Sequence, residues 1–281
     1  KMKNNFDLVT IIIPSYNHEL YIENCLNSIS VDNYTNLQVD IIDDGSTDSS
    51  VERIRNWQQN NPKINLRLEV QENKGLNYTL NKLIKNANGE YICLLASDDA
   101  LYPGGILKRV NFLKQHPEKL AVIGDAKVVN HKNEIIFESA IENLYHGNKA
   151  NFKSDDKLRY SIINEFSIPG PVLLVKKSLY EKIGPYPDIF AEDIYFYLRV
   201  IGLGLLIYLD EPVAYYRKHK ENTGGNSKYA KELNRTFIIS YWLNMKYYKG
   251  RLKLQLLKKL LGRIYNAVII YFRNNKKKPN L

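Results

Sequence analysis

An alternation of short strand patterns and helical patterns is the feature that most constrains the fold of this chain. The predicted strands lie at residues 9–14, 39–42, 66–71 and 91–95, and each is followed by apolar residues at helical spacing. Residues 9–14 form a continuous, mostly β-branched run, which is typical of a strand buried on both faces of a parallel sheet. Four such units in succession predict a doubly wound α/β sheet, in which ligands bind beyond the carboxyl ends of the strands.

Weaker patterns fill the remainder of the chain. They predict a hairpin at residues 126–137, a strand at 171–175, a helix at 192–201, and two strands at 205–209 and 213–217. Residues 140–170 have mixed polarity and predict no element. From about residue 228 the pattern is helical to the end, with a break at Gly250. We therefore predict an α/β domain over residues 1–225 and a helical tail over residues 226–281.

The positive charge of the chain is concentrated in this predicted tail. The formal net charge is +10, from 40 Lys and Arg against 30 Asp and Glu. Residues 233–281 contain 12 of the basic residues and no acidic one, so residues 1–232 sum to −2. A basic segment attracts a polyanion, either nucleic acid or an anionic membrane surface. The tail contains no recognisable nucleic-acid-binding motif, so we expect no nucleic-acid partner.

The tail also predicts an amphipathic basic helix between Arg251 and Ile264. Its apolar positions are Leu252, Leu256, Leu260 and Ile264 at fourfold spacing, with Leu257 and Leu261 beside them. Its basic positions are Lys258, Lys259 and Arg263, and the interfacial character continues through Tyr265, Tyr271, Phe272 and residues 276–278. One interpretation is attachment to an anionic membrane surface through charge and shallow leucine insertion. The alternative is that the leucines pack on the α/β domain while the lysines face solvent.

The number of cysteines and the lengths of the apolar segments indicate in which cellular compartment the protein is expected. Cys25 and Cys93 are the only cysteines, and neither belongs to a CxxC or Cys/His zinc pattern, so a reducing compartment is expected. The apolar stretches at residues 200–209 and 267–272 are shorter than the roughly 18 residues that a membrane-spanning helix needs. Polar residues near the start interrupt any apolar signal region. We expect a cytoplasmic protein without a transmembrane segment.

Three pairs of acidic residues lie where the predicted elements begin or end: Asp43 and Asp44, Asp98 and Asp99, and Glu192 and Asp193. Adjacent carboxylates repel one another unless a cation or donor hydrogens compensate, so the pairs predict a divalent metal and a polar ligand. The common glycine-rich phosphate motifs are missing, and phosphates would then need Mg²⁺ or Mn²⁺ held by carboxylates. Each pair taken alone is equally typical of a turn or a helix cap.

The order and spacing of these segments resemble an inverting family-2 glycosyltransferase of the GT-A fold, of the kind that builds bacterial surface polysaccharides. The matching segments are residues 9–17, 41–48, 73–75 leading to Asn81, 89–99, and Glu192 and Asp193 with Arg199. The resemblance extends from about residue 8 to about residue 223. It implies a Rossmann-like, mostly parallel sheet flanked by helices. Residues 8–125 would then bind the nucleotide sugar, and residues 126–225 would form the acceptor side and supply the catalytic base.

The resemblance implies donor-binding roles for residues of the first half. Pro14, Tyr16 and Asn17 match the loop that lies against the base and ribose of the nucleotide. Asp44 matches the carboxylate that bonds the nucleoside. Gly75 matches a glycine where the backbone passes close to the donor, although a glycine at the start of a helix would look the same.

The resemblance also implies a metal and diphosphate site. Asp98 and Asp99 match the end of the family's D-x-D metal motif, with Asp99 the expected direct ligand of Mn²⁺ or Mg²⁺. Ala96 stands where many members have the first Asp, so one carboxylate would be completed by water and the diphosphate. Arg217 and His219 resemble a segment that folds over the donor diphosphate, and either would bind phosphate.

Asp193 takes the place of the family's catalytic base. An acceptor hydroxyl must lose its proton as it attacks the anomeric carbon from the face opposite the departing diphosphate, through a transition state resembling an oxocarbenium ion. The metal would stabilise the leaving diphosphate as a Lewis acid. Asp193 should therefore be ionised and partly accessible to solvent. Without the resemblance, Glu192 and Asp193 are better explained by the preference of acidic residues for a helix N-terminus.

The resemblance implies a metal-dependent hexosyl- or N-acetylhexosaminyltransferase. The expected donor is a UDP-sugar, and the expected acceptor is a hydroxyl of a lipid-linked saccharide or polysaccharide in capsule, lipopolysaccharide or exopolysaccharide synthesis. Such an acceptor favours peripheral attachment to the inner face of the cell membrane. Two alternatives remain. A sugar nucleotidyltransferase lacks support because residues 14–18 are not a glycine-rich basic loop, and a non-catalytic domain that binds a nucleotide sugar or membrane is suggested by Ala96.

Overall fold

The computed structural model describes residues 6–220, 222 and 227–275. Its first half confirms the four predicted strand and helix units. The elements are β1 (Val9–Ser15), α1 (Ile22–Ser30), β2 (Leu37–Asp43), α2 (Ser50–Asn60), β3 (Leu66–Val70), α3 (Leu76–Asn86), β4 (Tyr91–Leu94), β5 (Ala100–Leu101) and α4 (Gly105–Gln115). The short strand β5 was not expected from the sequence.

The second half begins with the predicted hairpin, formed by β6 and β7. The elements are β6 (Ala121–Val129), β7 (Ile135–Phe137), α5 (Lys149–Phe152), α6 (Asp155–Asn164), β8 (Leu173–Lys176), α7 (Ser178–Ile183), α8 (Glu192–Gly202), β9 (Leu206–Arg217), α9 (Ala230–Asn244) and α10 (Gly250–Asn275). The predicted break near the end of the chain is a 3₁₀ turn at Met245–Tyr247, and Gly250, with a φ of 52°, begins α10.

The described strands form one nine-stranded sheet in the order β3-β2-β1-β4-β8-β6-β9-β5, with β7 paired to β6. The strands β3, β2, β1 and β4 are all parallel, as expected. Beyond them the sheet is mixed, because β8 runs antiparallel to both β4 and β6 while β9 runs parallel to β6. The carboxyl ends of β1, β2, β4 and β9 therefore lie along one edge.

The two strands predicted at residues 205–209 and 213–217 are one continuous strand, β9, so that prediction was wrong. The pairing of β9 with β6 shifts register next to Asp125, where the strand bulges. The exposed acidic residues Asp210 and Glu211 lie in this bulge and pair with Lys153 and Lys108. In the sequence, Asp210 and Glu211 resemble a turn, because a bulge and a turn both place polar side chains in solvent.

Residues 140–170, which predicted no element, contain a π-helical turn at Ala140–Leu144 and the helices α5 and α6. A single buried carboxylate on β6 organises this segment. Asp125 accepts hydrogen bonds from Ser139 Oγ at 2.5 Å and from the Ile141 amide at 3.2 Å, and Lys149 Nζ lies 3.2 Å from it. The segment is thus fixed by contacts between residues distant in sequence.

Two apolar cores cover the two faces of the sheet. On one face α1, α2 and α4 pack on alternate residues of β1 and β2, such as Ile11 and Val39. On the other face Ile12 and Ile42 join a core shared with α3, α6, α8, α9 and α10. Leu256 and Leu260 of α10 are buried in that core. The predicted tail therefore packs on the α/β domain, and no helix among the described residues combines the length and apolar character needed to cross a bilayer.

Arg199 joins α8 to the C-terminal helices. Its guanidinium carbon lies 4.7 Å from the ring centre of Tyr195 and 4.6 Å from that of Tyr247. Its Nε donates to Asn244 Oδ1 at 2.6 Å, and its Nη1 donates to the Ile183 carbonyl at 2.9 Å. A buried cation held by stacking and hydrogen bonds fixes the axis of α8, the helix that begins with Glu192 and Asp193.

Candidate active site

The loop after β1 lies against the loop after β2, as the sequence predicts for neighbouring parallel strands. Pro14 is the residue before the last in β1, and Tyr16 is 48% exposed. Asn17 adopts a left-handed φ of 52°. Its amide donates to Ser46 Oγ at 2.8 Å, and its Oδ1 accepts the Thr47 amide at 2.8 Å. These bonds fix the first loop and leave the Tyr16 ring at the surface.

Asp43 and Asp44 have different environments. Asp43 is buried and accepts hydrogen bonds from Ser15 Oγ and from the amide and hydroxyl of Ser46, which makes it the shaping residue of the turn. Asp44 accepts hydrogen bonds from Gln71 Nε2 at 2.8 Å, from the Lys74 amide at 2.8 Å and from the Gly75 amide at 2.9 Å. The structure therefore brings Asp44 and Gly75 together, as the family resemblance implies for two residues at one ligand.

Gly75 precedes α3 with a φ of 86°. A Cβ built on this residue meets no atom within 4 Å, so lack of space does not explain the glycine. The positive φ of the backbone is what favours glycine here. Gly75 is exposed beside Asp44. An open backbone segment next to a buried carboxylate is suited to the close approach of a polar ligand.

The acidic pair after β4 is divided between two tasks. Asp99 is buried, and its Oδ1 accepts the amide hydrogen of Arg217 at 2.7 Å. Asp98 Oδ2 lies 2.9 Å from His219 Nε2. The ligand atoms of His18, Asp98 and His219 all lie within 4.8 Å of one another, which is close enough to hold one ion. The expectation that Asp99 is the direct metal ligand stays a prediction. Asp99 Oδ1 fixes the backbone of β9, while Asp98 faces the two imidazoles.

The electrostatics of this pair agree with the geometry. Burial and the neighbouring Asp98 raise the pKa of Asp99 well above its usual range. Burial acts on Asp98 in the same direction, but the hydrogen bond from His219 and the charges of His18 and His219 outweigh it and lower the pKa of Asp98. When two carboxyl groups lie side by side, their pKa values move apart in this way. Asp98 therefore carries the negative charge that faces the cluster.

Arg217, expected to bind phosphate, is occupied by the protein itself. The side chain is buried, its Nε donates to the Asp98 carbonyl at 2.7 Å, its Nη1 donates to the Asn130 carbonyl at 2.9 Å, and its Nη2 donates to Asn24 Oδ1 at 2.7 Å. These bonds join the end of β9 to the Asp98 loop, the β6–β7 hairpin and α1. We therefore assign Arg217 to positioning the cluster, while His219 belongs to the cluster itself.

Glu192 and Asp193 begin α8 directly after Ala191, which has a strained left-handed backbone with φ of 50° and ψ of 62°. Asp193 is half-buried, and its Oδ1 accepts the Ile194 amide at 2.8 Å. Burial raises the pKa of Asp193 to about 6. Burial and the charge of Asp193 raise the pKa of Glu192 to about 8. Near pH 7 Asp193 is therefore the ionised member of the pair, as a general base must be.

The loop that leads to this pair is held by α3, the helix that begins beside Asp44. Asn81 exchanges two hydrogen bonds with the backbone of Tyr186, at 2.9 and 2.8 Å. Asn77 Nδ2 donates to the Ile189 carbonyl at 2.7 Å, and Thr236 Oγ1 donates to the Phe190 carbonyl at 2.5 Å. Asn81 belongs to a matching segment of the sequence. Nothing in the local pattern identified Asn77 or Thr236.

Two tyrosines connect the Asp99 side of the site to the Asp193 side. The hydroxyl groups of Tyr145 and Tyr216 interact, and their ring centres lie 6.3 Å apart. Burial raises the pKa of Tyr145, and the charges of Asp193 and Asp99 raise it further, so both carboxylates act on this one side chain. Tyr145 therefore lies within electrostatic range of both acidic sites. Tyr145 lies in the segment that the sequence left without a prediction.

Comparisons with known proteins bear on the family to which this chain belongs. The chain matches the model of the family described as glycosyl transferase family 2 over residues 10–184. A Haemophilus influenzae protein named as a glycosyltransferase is 29% identical over an alignment of 258 residues, which covers 85% of this chain and 76% of that protein.

Two solved structures have a similar fold. TarS of Staphylococcus aureus, residues 1–349 in complex with UDP, has a TM-score of 0.65 at 19% identity, covering 92% of this chain and 72% of TarS 1–349. The mannosyltransferase PcManGT of Pyrobaculum calidifontis, in complex with GDP-Man and Mn²⁺, has a TM-score of 0.65 at 18% identity, covering 93% of this chain and 75% of the other. Together with the family match over more than half of the sequence, the GT-A architecture shows that this chain is a glycosyltransferase of family 2.

Proposed function

We propose that this protein transfers one sugar, a hexose or N-acetylhexosamine, from a nucleotide diphosphate donor to a hydroxyl group with inversion at the anomeric carbon. The observation that carries the proposal is that two acidic sites lie within electrostatic range of one side chain, Tyr145. One site is the Asp98 and Asp99 pair, whose Asp98 belongs to the cluster with His18 and His219, and the other is Asp193, a half-buried carboxylate that is ionised near pH 7. An inverting transfer needs a charge-stabilising site for the leaving group and a base on the opposite face.

The proposed donor is a UDP-sugar. TarS, a structural neighbour, binds UDP, and the nucleotide would lie against the surface formed by Pro14, Tyr16 and Asn17 with Asp44 and Gly75. The exposed Tyr16 ring offers a stacking surface for the base, and the exposed backbone at Gly75 allows close approach of the donor.

The donor set at the end of β4 fits a divalent ion. Asp98 supplies a carboxylate oxygen, and His219 supplies an imidazole nitrogen at 2.9 Å from it. Ala96 adds no ligand, so an ion here would keep positions open for diphosphate oxygens. Mn²⁺, which PcManGT binds, and Mg²⁺ are the proposed ions. A bound ion would act as a Lewis acid on the departing diphosphate.

The remaining chemistry falls to residues of this chain. Asp193 would accept the proton of the acceptor hydroxyl as that oxygen attacks the anomeric carbon. The bonds from Asn77, Asn81 and Thr236 to the preceding loop hold α8 in place, so that Asp193 stays oriented during the attack. The hydrogen bond from Arg217 to the Asp98 carbonyl holds the Asp98 loop against the end of β9. The acceptor that we propose is a lipid-linked saccharide or a polysaccharide of the bacterial surface.

A screen of nucleotide sugars tests this proposal. We expect one donor, a UDP-sugar, to raise the melting temperature by mass action and to be consumed with release of UDP in the presence of Mn²⁺. The product should have the inverted anomeric configuration by NMR. Release of pyrophosphate would indicate a sugar nucleotidyltransferase instead, and binding without turnover with any acceptor or water would indicate a non-catalytic domain. A retained configuration would contradict the assignment of Asp193.

We further propose that α10 attaches the enzyme to the inner face of the cell membrane. Leu256 and Leu260 of the predicted leucine stripe are buried in the core, so that part of the stripe packs on the domain. A second apolar stripe remains exposed at alternating spacings of three and four residues: Leu254, Leu257, Leu261, Ile264 and Val268. Exposed Lys253 and Lys258 flank it, and no acidic residue follows Glu232. An anionic lipid surface complements this combination of charge and apolar area.

The variant Lys253→Gln/Lys258→Gln should bind anionic liposomes about 30-fold more weakly at low salt, because each basic residue near an anionic leaflet contributes about 1 kcal/mol. Co-flotation with phosphatidylglycerol vesicles measures this. Lys63→Gln/Lys132→Gln, at two exposed positions outside α10, is the matched control and should bind as the wild type does. Point variants are used because truncation after Glu232 would remove Tyr241, Leu256 and Leu260 from the core. If the wild-type protein does not bind anionic vesicles, the proposed membrane attachment of α10 is contradicted.

A further inference from the structure

We propose that His18 is a direct ligand of the ion, so that the site consists of two imidazoles and one carboxylate and selects a first-row transition ion over Mg²⁺. This inference rests on the proposed metal role of Asp98 and His219. It goes beyond that role because His18 lies in the loop after β1, about 200 residues from His219 in the sequence, and belongs to no acidic motif.

The first argument is position. The ligand atoms of His18, Asp98 and His219 lie within 4.8 Å of one another, and all three residues are partly buried. The ring centres of the two histidines lie 6.1 Å apart at an interplanar angle of 82°. Two imidazoles that meet edge to face beside one carboxylate can direct their lone pairs at a common point.

The second argument is orientation. The His18 amide donates to Ser50 Oγ at 2.9 Å, which fixes the backbone, and His18 Nδ1 lies 2.7 Å from Ser97 Oγ, which fixes the ring. Histidine ligands of metals nearly always have one ring nitrogen held by a second group in this way, while the other nitrogen binds the ion. Ser97 is the residue next to Asp98, so the same loop positions both ligands.

The third argument is the composition of the site. Ala96 contributes no ligand, and Asp99 Oδ1 is bonded to the backbone of β9. The chain therefore offers only one well-placed carboxylate in this loop. Mg²⁺ prefers oxygen ligands and water, whereas two imidazoles and one carboxylate with open positions are typical of first-row transition ions. The open positions remain for the oxygens of a diphosphate.

The test uses the full chain with Mn²⁺, Co²⁺ and Mg²⁺ alone as probes. Pulsed EPR of the Mn²⁺ complex should detect two coordinated imidazole nitrogens in the wild type and one in His18→Phe, which keeps an aromatic ring beside Tyr21 and His219. The affinity for Mn²⁺ should fall by at least about 10-fold, and the preference for Mn²⁺ and Co²⁺ over Mg²⁺ should fall with it. His116→Phe, at a histidine bonded to the Phe112 carbonyl outside the cluster, is the matched control and should change neither quantity.

The outcomes separate this inference from the proposed function. Mn²⁺ bound with a single nitrogen in the wild type, or an unchanged Mn²⁺ complex in His18→Phe, would overturn the role of His18 and leave that of Asp98 and His219 intact. A wild-type protein that binds none of the three ions, with or without UDP, would overturn both. The nitrogen count in the wild type decides the question even if His18→Phe does not fold.

Discussion

We expect Asp193→Asn to lower kcat by about 10²- to 10⁴-fold while the affinity for UDP stays unchanged. The amide keeps the size of the side chain and an oxygen for the Ile194 amide, but it cannot accept the proton of the acceptor hydroxyl. Steady-state kinetics with saturating donor measure kcat, and calorimetry measures UDP binding. Asp188→Asn, at an exposed position in the same loop, is the control and should keep full activity.

The pH dependence of kcat gives the same assignment an independent check. Because burial raises the pKa of Asp193 to about 6, the base is protonated below that pH and ionised above it. The wild-type kcat should therefore rise through about pH 6, where an ordinary aspartate would give a rise near pH 4. The residual kcat of Asp193→Asn should not rise through about pH 6. A wild-type rate that is constant between pH 5 and 7 would contradict the role of Asp193.

The raised pKa also predicts a change in stability with a definite sign. In the unfolded chain Asp193 ionises near its ordinary pKa of 3.8, whereas in the folded protein it ionises near 6. Its contribution to folding is therefore fully present below about pH 4 and is lost as the pH rises through about 6. Asp193→Asn should melt at a higher temperature than the wild type at pH 8. An inactive variant that is more stable cannot owe its inactivity to misfolding.

The second large effect concerns Asp98. Asp98→Asn should abolish the tightening of UDP binding by Mn²⁺, with a loss of at least about 10²-fold in Mn²⁺ affinity, because among the described residues Asp98 supplies the carboxylate of the imidazole cluster. Calorimetric titration of UDP with Mn²⁺ and with chelator measures the difference. Binding of UDP in chelator should be the same in the variant and the wild type.

Asp99→Asn is the matched comparison, since it retains the oxygen that accepts the Arg217 amide. We expect it to retain most of the metal dependence of UDP binding. If Asp99→Asn abolished the metal dependence and Asp98→Asn did not, Asp99 would be the direct ligand, as the family resemblance alone implies. Equal UDP affinity with and without Mn²⁺ in the wild type would remove the metal from the mechanism.

The sheet and the location of the site were predictable because both depend on local patterns. A β-branched run such as residues 9–14 is typical of a strand buried on both faces, and the carboxyl ends of parallel strands meet at one edge. Asp44 and Asp98 were therefore placed near one another before any contact was known. The bonds from Asp44 to the start of α3 follow from this placement.

The partners of the site residues were not predictable, because they depend on contacts between distant parts of the chain. Asn77 meets the loop before Asp193 across 112 residues, and Asp98 meets His219 across 121. The family resemblance implies a phosphate contact for Arg217, whereas its hydrogen bonds to Asp98, Asn130 and Asn24 again join distant segments. In α10, leucines occupy two faces of one helix, and periodicity alone does not say which face the domain covers.

The division of the core between two faces has a consequence for how the protein is made. Apart from Leu174, the buried residues of the face that includes Ile11 lie before residue 123, whereas the other face is completed only by Leu256 and Leu260. A ribosome that adds about 5–20 residues per second needs roughly 7 to 28 s to synthesise the intervening chain. Throughout that interval the core that includes Ile12 and Ile42 has α3 but lacks α10. We therefore expect the growing polypeptide to expose apolar surface of this core until α10 has left the exit tunnel.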